Sequence, residues 1–231
     1  MRKVIFLPIL LVLVFSSCKK QGCTDPNASN YNSSSKKDNG SCTYLLTDID
    51  GNSYSAKAIG NQVWMTENLE VKKYRNGDII PQVQDNSQWD ALTTGAWCYY
   101  DNDPSKGILY NWFAVNDPRG LAPIGWHVPS DAEWTILTDS LGDYAGTQMK
   151  NTSGWLDAGN GTNSSGFSGL PEGNRYGNGN FINIGSGGYW WSSTESGTDY
   201  AYFRRLLSYN SILDRSVYFK DWGLSVRCVK D

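Results

Sequence analysis

Five cysteines are the residues whose type and spacing most clearly indicate chemistry in this chain of 231 residues. A cysteine can be acylated, form a disulfide, bind a metal or act as a nucleophile. The only histidine, His127, provides no partner cluster for a metal, and its place in an apolar run before a helix favours a satisfied core residue over a general base. Five is an odd number, so one cysteine must have another fate if the other four form two disulfides.

Cys18 stands directly after an export signal. Residues 1–17 have a basic start, a twelve-residue apolar run from 4 to 15, and two closing serines. The run is too short to cross ~30 Å of hydrocarbon as a helix, which favours a cleaved signal over a transmembrane anchor. The small residues before Cys18 resemble the lipobox of bacterial lipoproteins. This resemblance implies an acylated Cys18, a lipidated tether over 18–22, the membrane as a partner through the acyl chains, and a place in the cell envelope at the outer membrane or cell surface. The alternative is ordinary cleavage that leaves a free thiol.

The four remaining cysteines allow three pairings. The favoured arrangement pairs Cys23 with Cys42 and Cys98 with Cys228. The first two bracket a short polar segment, and the last two lie in apolar, strand-like runs. The chain-entropy model gives ~3 kcal/mol for the short loop and ~4 to 5 kcal/mol for the long one, both upper estimates. A reactive or metal-binding thiol is the alternative.

Residues 23–44 form a polar module that lacks the apolar side chains for a core, so a disulfide or bound ions must hold it. It resembles the GCTDP…NYN…DGSC modules of bacterial surface proteins. Calcium is the one candidate cofactor, since five side chains offer hard oxygen ligands at close spacing. The same side chains also form turns with their own backbone and then need no metal. They are Asp25, Asn27, Asn30, Asn32 and Asp38.

Composition indicates an exported β-rich domain. Ten tryptophans, fourteen tyrosines and twenty-four glycines accompany only 19% charged residues, as suits short strands, aromatic packing and long turns. The net charge is −3 and no basic block occurs, which argues against a nucleic-acid partner.

Local patterns predict the elements that position these residues. Residues 53–59 and 62–65 alternate around Gly60 and predict a hairpin. Apolar spacing predicts a short helix within 107–115. The capping-box pair Ser130 and Glu133 begins a second helix that Gly142 ends. Residues 154–188 read as a long loop, and 187–231 as short antiparallel strands.

Several of these segments together resemble a known family. GWHVPSDAEW is similar to the GxRLPTEAEW segment of formylglycine-generating-enzyme-like domains, and YWWSSTE and WGLSVRCVKD are similar to that fold's final hairpin. With NQVWMTENL they identify residues 45–231 as a member of the Fibrobacter succinogenes major paralogous domain family. The resemblance implies an α+β, C-type-lectin-like (sulfatase-modifying-factor-like) fold with two helices and small twisted antiparallel sheets. It does not imply the activity, because that chemistry uses two reactive cysteines near the C-terminus and only Cys228 stands there.

The function that these features favour is non-catalytic binding of a glycan or surface protein. Trp190 and Trp191 are adjacent in a predicted strand, so both cannot enter one core. One is expected to lie near the loop of 154–188 and to form an exposed aromatic platform there. The alternative is that both tryptophans are buried, one in each of two small cores. Calcium-dependent sugar binding is disfavoured, since neither EPN nor WND occurs. A structural spacer is a second function, and a hydrolase that uses Glu195 and Asp199 is the third. The polar residues expected around the platform are Glu195, Asp199, Arg204 and Arg205.

Overall fold

The structure, a computed structural model, describes residues 20–231. The predicted signal at 1–17 and the acylated Cys18 therefore lie outside the described residues. The described range is mostly β. Its strands are β1 Thr43–Thr47, β2 Ser53–Ile59, β3 Gln62–Met65, β4 Trp97–Tyr99, β5 Ile108–Tyr110, β6 Trp126–His127, β7 Glu172–Arg175, β8 Phe181–Ile184, β9 Gly187–Glu195, β10 Tyr200–Leu207, β11 Asp214–Phe219 and β12 Val229–Lys230. Its α-helices are α1 Asn86–Asp90, α2 Trp112–Val115, α3 Asp131–Leu141 and α4 Ala145–Met149.

The first sheet has the strand order β1-β2-β3-β12-β6 and joins the two ends of the domain. The predicted hairpin of β2 and β3 is confirmed, with Gly60 at φ 61° in its turn, a conformation that glycine adopts at little cost. Strand β12 lies between β3 and β6, where Val229 is opposite both Trp64 and His127. The last strand thus closes a sheet that the first strands begin.

The second sheet has the order β11-β10-β9-β7-β8, which places β9 at its centre. The neighbours β9, β10 and β11 pair antiparallel, which confirms the strands predicted for 187–231. Strand β7 pairs parallel with β9 through Gly173 and Gly188. A separate ribbon pairs β4 with β5.

Helix α3 follows its sequence signals closely. The Ser130 hydroxyl accepts a hydrogen bond from the Glu133 backbone N–H, and the Glu133 carboxylate accepts one from the Ser130 N–H, so the predicted capping box is confirmed. The helix buries Trp134 and Leu137 and ends at Gly142, whose φ is 72°. Trp134 Nε1 donates to the Trp191 carbonyl at 3.3 Å, which fixes α3 against β9.

Three expectations need correction. The helix predicted within 107–115 is instead strand β5 followed by the short α2. Residues 108–110 pair with β4, and Asn111 begins α2 because its side chain accepts the Ala114 N–H. Residues 154–188 are not a loop throughout, since they contain β7 and β8. The expected count of two helices is too low, because α1 and α4 add a turn or so each.

The buried side chains form three hydrophobic clusters. The largest lies between the two sheets and contains Trp191, the second lies under α3 and contains Trp190, and a small third cluster surrounds Cys98. Strand β9 separates the first two clusters, so it is covered on both faces. Among residues 20–231, no helix combines the length and the hydropathy that crossing a bilayer requires.

Candidate functional site

The predicted aromatic platform of Trp190 and Trp191 is not formed, because both indoles are fully buried. Trp190 packs against Phe167 at 5.4 Å between ring centroids, and its Nε1 donates to Asn68 Oδ1 at 2.8 Å. Trp191 Nε1 donates to the Tyr110 carbonyl at 2.8 Å. The two residues point to opposite faces of β9 as the strand period requires. Both faces are covered, so the alternative with two cores is the one that the structure has.

The polar residues predicted around that platform are also not brought together. Glu195, at the end of β9, pairs with Lys220 Nζ at 2.9 Å. Arg205 pairs with Asp214 at 3.2 Å on one face of β10, and the adjacent Arg204 points to the other face. Asp199 is exposed in the turn between β9 and β10. These four residues spread along a hairpin instead of surrounding one point.

The outer face of β10 and β11 carries a different aromatic surface, here named the hairpin face. Antiparallel register places Tyr200 opposite Phe219 and Tyr202 opposite Val217, so every second residue of each strand shares this face. The Tyr200 and Phe219 rings lie 4.5 Å apart, with exposed fractions of 37% and 46%. The hairpin face is therefore an apolar strip two residues wide, whose four side chains all keep part of their surface exposed.

Charged groups bound the hairpin face at one end. The Arg215 guanidinium lies 4.1 Å from the centre of the Tyr202 ring and is also 2.9 Å from Asp131 at the start of α3. The buried Arg204 donates to the same carboxylate. Burial raises the pKa of Asp131, but hydrogen bonds from Arg215 and Arg204 outweigh it, so its pKa lies below its usual range. One carboxylate between two guanidiniums leaves this end positive.

A notch of about 270 Å³ lies at the other end of the strip. Its apolar wall consists of Leu92, Phe113 and Phe219. Its polar wall includes Asp199, whose carboxylate accepts no hydrogen bond from residues 20–231, and Asp221, whose pKa is raised by burial. The notch thus combines aromatic carbon with one exposed carboxylate, that of Asp199.

The cysteines confirm one predicted disulfide and correct the other. Cys23 and Cys42 are bonded, with their Cα atoms 4.8 Å apart. Cys98 and Cys228 are both buried free thiols. Cys98 lies in β4 within the small third cluster, whereas Cys228 lies in the large cluster between the sheets. Apolar strand patterns predicted burial correctly but could not indicate that the two residues enter different cores.

The module at 23–44 uses its candidate calcium ligands as turn formers. Asp25 Oδ1 accepts the Asn27 N–H at 2.9 Å, Asn32 Oδ1 accepts the Ser34 N–H at 3.1 Å, and Asp38 Oδ1 accepts the Gly40 N–H at 2.9 Å. Asn30 bonds to the backbone of 41 and 43 on both sides of Cys42. These are the side-chain turns that the sequence left as the alternative to a calcium loop. Within residues 20–231, no group of three or more histidine, cysteine or acidic side chains is arranged to hold a metal.

His127 has a role that the sequence did not suggest. It is half-exposed in β6 and not a core residue, and its two ring nitrogens lie 2.7 Å from Asp231 Oδ1 and from Glu133 Oε1. The imidazole therefore connects the last residue of the sequence to the capping box of α3. No local signal could have found this contact, since 104 residues separate His127 from Asp231.

Comparison with known proteins assigns the chain to a family. Searches of curated proteins and of solved structures find no match. The likeness to formylglycine-generating-enzyme-like domains stays a prediction. A family model described as the Fibrobacter succinogenes major domain matches residues 58–230, which contain both sheets except β1 and part of β2, all four helices and the hairpin face. The chain therefore belongs to the Fibrobacter succinogenes major domain family.

Proposed function

We propose that this protein is an exported, lipid-anchored protein of the cell envelope that binds a glycan on its hairpin face without catalysis. The single observation that carries the proposal is the exposed ring pair of Tyr200 and Phe219, beside a notch that contains the exposed carboxylate of Asp199. Aromatic rings offer a flat face to the C–H groups of a sugar, and exposed apolar patches rimmed by polar groups are typical of binding sites.

The shape of the strip favours a glycan over a protein. Neighbouring strands lie about 4.8 Å apart, so a two-strand strip is about as wide as one sugar ring. A stable protein interface usually covers ~800 Å² on each partner, which is far more than four side chains provide. An extended sugar chain on Tyr200 and Phe219 reaches Arg215 at one end and Asp199 at the other, where its hydroxyl groups find charged hydrogen-bond partners.

The acylated Cys18 is the proposed membrane anchor, and the module at 23–44 then holds the domain away from the membrane. The finer fold assignment, C-type-lectin-like, belongs to this proposal too. It is supported by a chain whose first and last strands meet in one sheet. The absence of catalysis is proposed because Glu195 is committed to an ion pair with Lys220 and is not a free carboxylate opposite Asp199.

Binding to a panel of cello-, xylo-, manno- and chitohexaose, measured by calorimetry on residues 19–231, tests the proposal. Tyr200→Ala and Phe219→Ala should each weaken binding by about tenfold, since an aromatic contact at a binding centre contributes ~1 to 2 kcal/mol. Tyr209→Ala is the matched control, because Tyr209 is a tyrosine of the same sheet region, is 79% exposed and lies off the hairpin face. It should bind as wild type does.

Three results would contradict the proposal. If both hairpin variants stay folded and bind every retained sugar as well as wild type, the site lies elsewhere. If no sugar binds but envelope protein is retained through Tyr200 and Phe219, the partner is a protein. If neither a sugar nor an envelope protein binds, the protein is a spacer.

A further inference from the structure

A second cavity, which shares no lining residue with the notch at the hairpin face, is named here the Glu172 cleft. It has a volume of about 520 Å³, within the range of small-molecule sites. Its wall is formed by the segment after β3, by the start of β7 and by Arg227 before β12. The residues that carry the argument are Glu67, Asn68, Glu70, Glu172 and Arg227.

Glu172 is the central group of the cleft. The side chain is half-buried. Oε2 accepts hydrogen bonds from Asn68 Nδ2 at 2.6 Å and Ser225 Oγ at 3.4 Å, and among residues 20–231 no donor bonds to Oε1. Gly107 lies against the back of the carboxyl, since a Cβ there would be 2.4 Å from Oε2 and 3.1 Å from Oε1. The cleft is the side that remains open.

Arg227 does not satisfy this carboxylate. The guanidinium is fully buried and donates to Asn68 Oδ1 at 2.8 Å and to the carbonyls of Met65, Phe167 and Ser168. No Arg or Lys nitrogen within residues 20–231 lies within 4.0 Å of the Glu172 carboxylate. Partial burial disfavours the charged form of the carboxyl, so the pKa of Glu172 is raised above its usual value.

The rest of the cleft adds acceptors and negative charge. Glu70 lines the cleft and its carboxylate accepts no hydrogen bond from the described residues. Glu67 uses Oε2 for the Ser55 N–H and the Thr66 hydroxyl, both at 2.9 Å, which leaves Oε1 available. Three carboxylates thus face one guanidinium that is already engaged. A ligand that complements this cleft brings a positive charge and hydrogen-bond donors.

We propose that the Glu172 cleft binds a small ligand through a primary ammonium group that donates to Glu172 Oε1. An ammonium group has three donors and one positive charge, and the charged hydrogen bond offsets the cost of enclosing the carboxylate. Glu70 and Glu67 supply attraction at longer range. The ammonium can come from a lysine side chain or from an amino sugar, and the test separates these sources.

The test measures n-butylammonium chloride binding to residues 19–231 by calorimetry and by the rise in unfolding temperature, at pH 7 in an amine-free buffer. Binding of n-butylammonium is expected, with no binding of n-butanol, which has the same carbon chain but no charge. Tetramethylammonium is charged but cannot donate, so it should bind much more weakly. Nα-acetyl-lysine amide and glucosamine then show which source fits, by whichever binds more tightly.

Three variants locate the site. Glu172→Gln keeps an acceptor for Asn68 and removes the charge, so it should fold and weaken n-butylammonium binding by about tenfold or more. The Glu70 carboxylate accepts no hydrogen bond from the described residues, so Glu70→Gln should leave the fold intact. It should weaken n-butylammonium binding by a smaller factor. Asp139→Asn removes the same charge on the exposed side of α3 and should change nothing.

The proposal is overturned if n-butanol binds as well as the ammonium ion, if a folded Glu172→Gln binds n-butylammonium as wild type does, or if none of the amines binds. Calcium chloride that binds in place of the amines, and depends on Glu172, would also overturn it by assigning the cleft to a metal. The residues of the hairpin face are not involved, so this result is independent of the glycan experiment.

Discussion

Trp190 and Trp191 are consecutive residues of β9, yet their indoles lie in two different hydrophobic clusters on opposite sides of the sheet. Helix α3 covers the side of Trp190, and α2 covers the side of Trp191, where Trp112 Nε1 donates to the Ser192 carbonyl at 2.8 Å. One strand therefore contributes a buried tryptophan to each cluster, and both tryptophans are structural residues.

Replacing either tryptophan should destabilise the whole domain. Trp190→Ala and Trp191→Ala are each expected to lower the free energy of unfolding by ~3 to 5 kcal/mol, because each removes a large buried side chain and leaves a cavity. Urea denaturation measures the change. Tyr200→Ala on the hairpin face is the comparison and should cost under ~1 kcal/mol. A loss of the same small size for either tryptophan would contradict its burial.

The thiols of Cys98 and Cys228 should be unreactive in the folded protein. Burial raises the pKa of Cys98 to about 11 against the opposing charge of Arg175, and burial also raises the pKa of Cys228, so neither forms a thiolate at neutral pH. Alkylation should label no cysteine in the native domain and two in denaturant without reductant. Peptide mapping that finds Cys98 joined to Cys228 would contradict the free thiols.

Reduction should loosen the N-terminal module first. The Cys23–Cys42 bond closes a loop with a sequence separation of 19, and its loss should cost ~3 kcal/mol of local stability. Hydrogen exchange at amides 23–44 should accelerate in Cys23→Ser with Cys42→Ser, while that of β9 stays slow. A chelator is the control, and it should leave exchange unchanged because the turns bond to their own backbone. Faster exchange with chelator alone would restore the calcium loop.

The His127 contacts should make stability depend on pH. Burial lowers the pKa of His127, but hydrogen bonds to Asp231 and Glu133 outweigh it and its pKa is raised. The stability that these His127 contacts add is fully present below pH ~6.5, the pKa of an unfolded histidine. It is lost as the pH rises through the raised pKa of the folded state. Burial raises the pKa of Glu133, but hydrogen bonds from Ser130 and His127 outweigh it, and its net lowered pKa gives a contribution that is lost in acid.

The ion pair is therefore strongest on the acidic side of neutrality, above the pKa of Glu133. The difference in unfolding free energy between wild type and His127→Gln should be largest there and should shrink towards pH 8. Urea denaturation across this range measures it. Asp231→Asn, which keeps the Glu133 contact, should lose only part of the effect. A difference that grows with pH would contradict this account.

Local sequence determined several elements. Helix α3 follows from Ser130, Glu133 and Gly142, and the β2–β3 hairpin from Gly60, because capping and turn conformations involve residues only a few positions apart. The Cys23–Cys42 bond follows for the same reason, since the segment between them is short and has no core of its own. The strands of 187–231 follow from their period of two.

Tertiary structure alone decided which aromatic residues are exposed. Alternation in β9 and in β11 looks alike in the sequence, but β9 lies at the centre of its sheet with a helix on each side, whereas β11 is an edge strand. The Trp190 and Trp191 pair is therefore buried and Phe219 is exposed. Cys98, Cys228, Glu172 and His127 show the same limit, because burial and pairing depend on segments that meet only after the sheets have assembled.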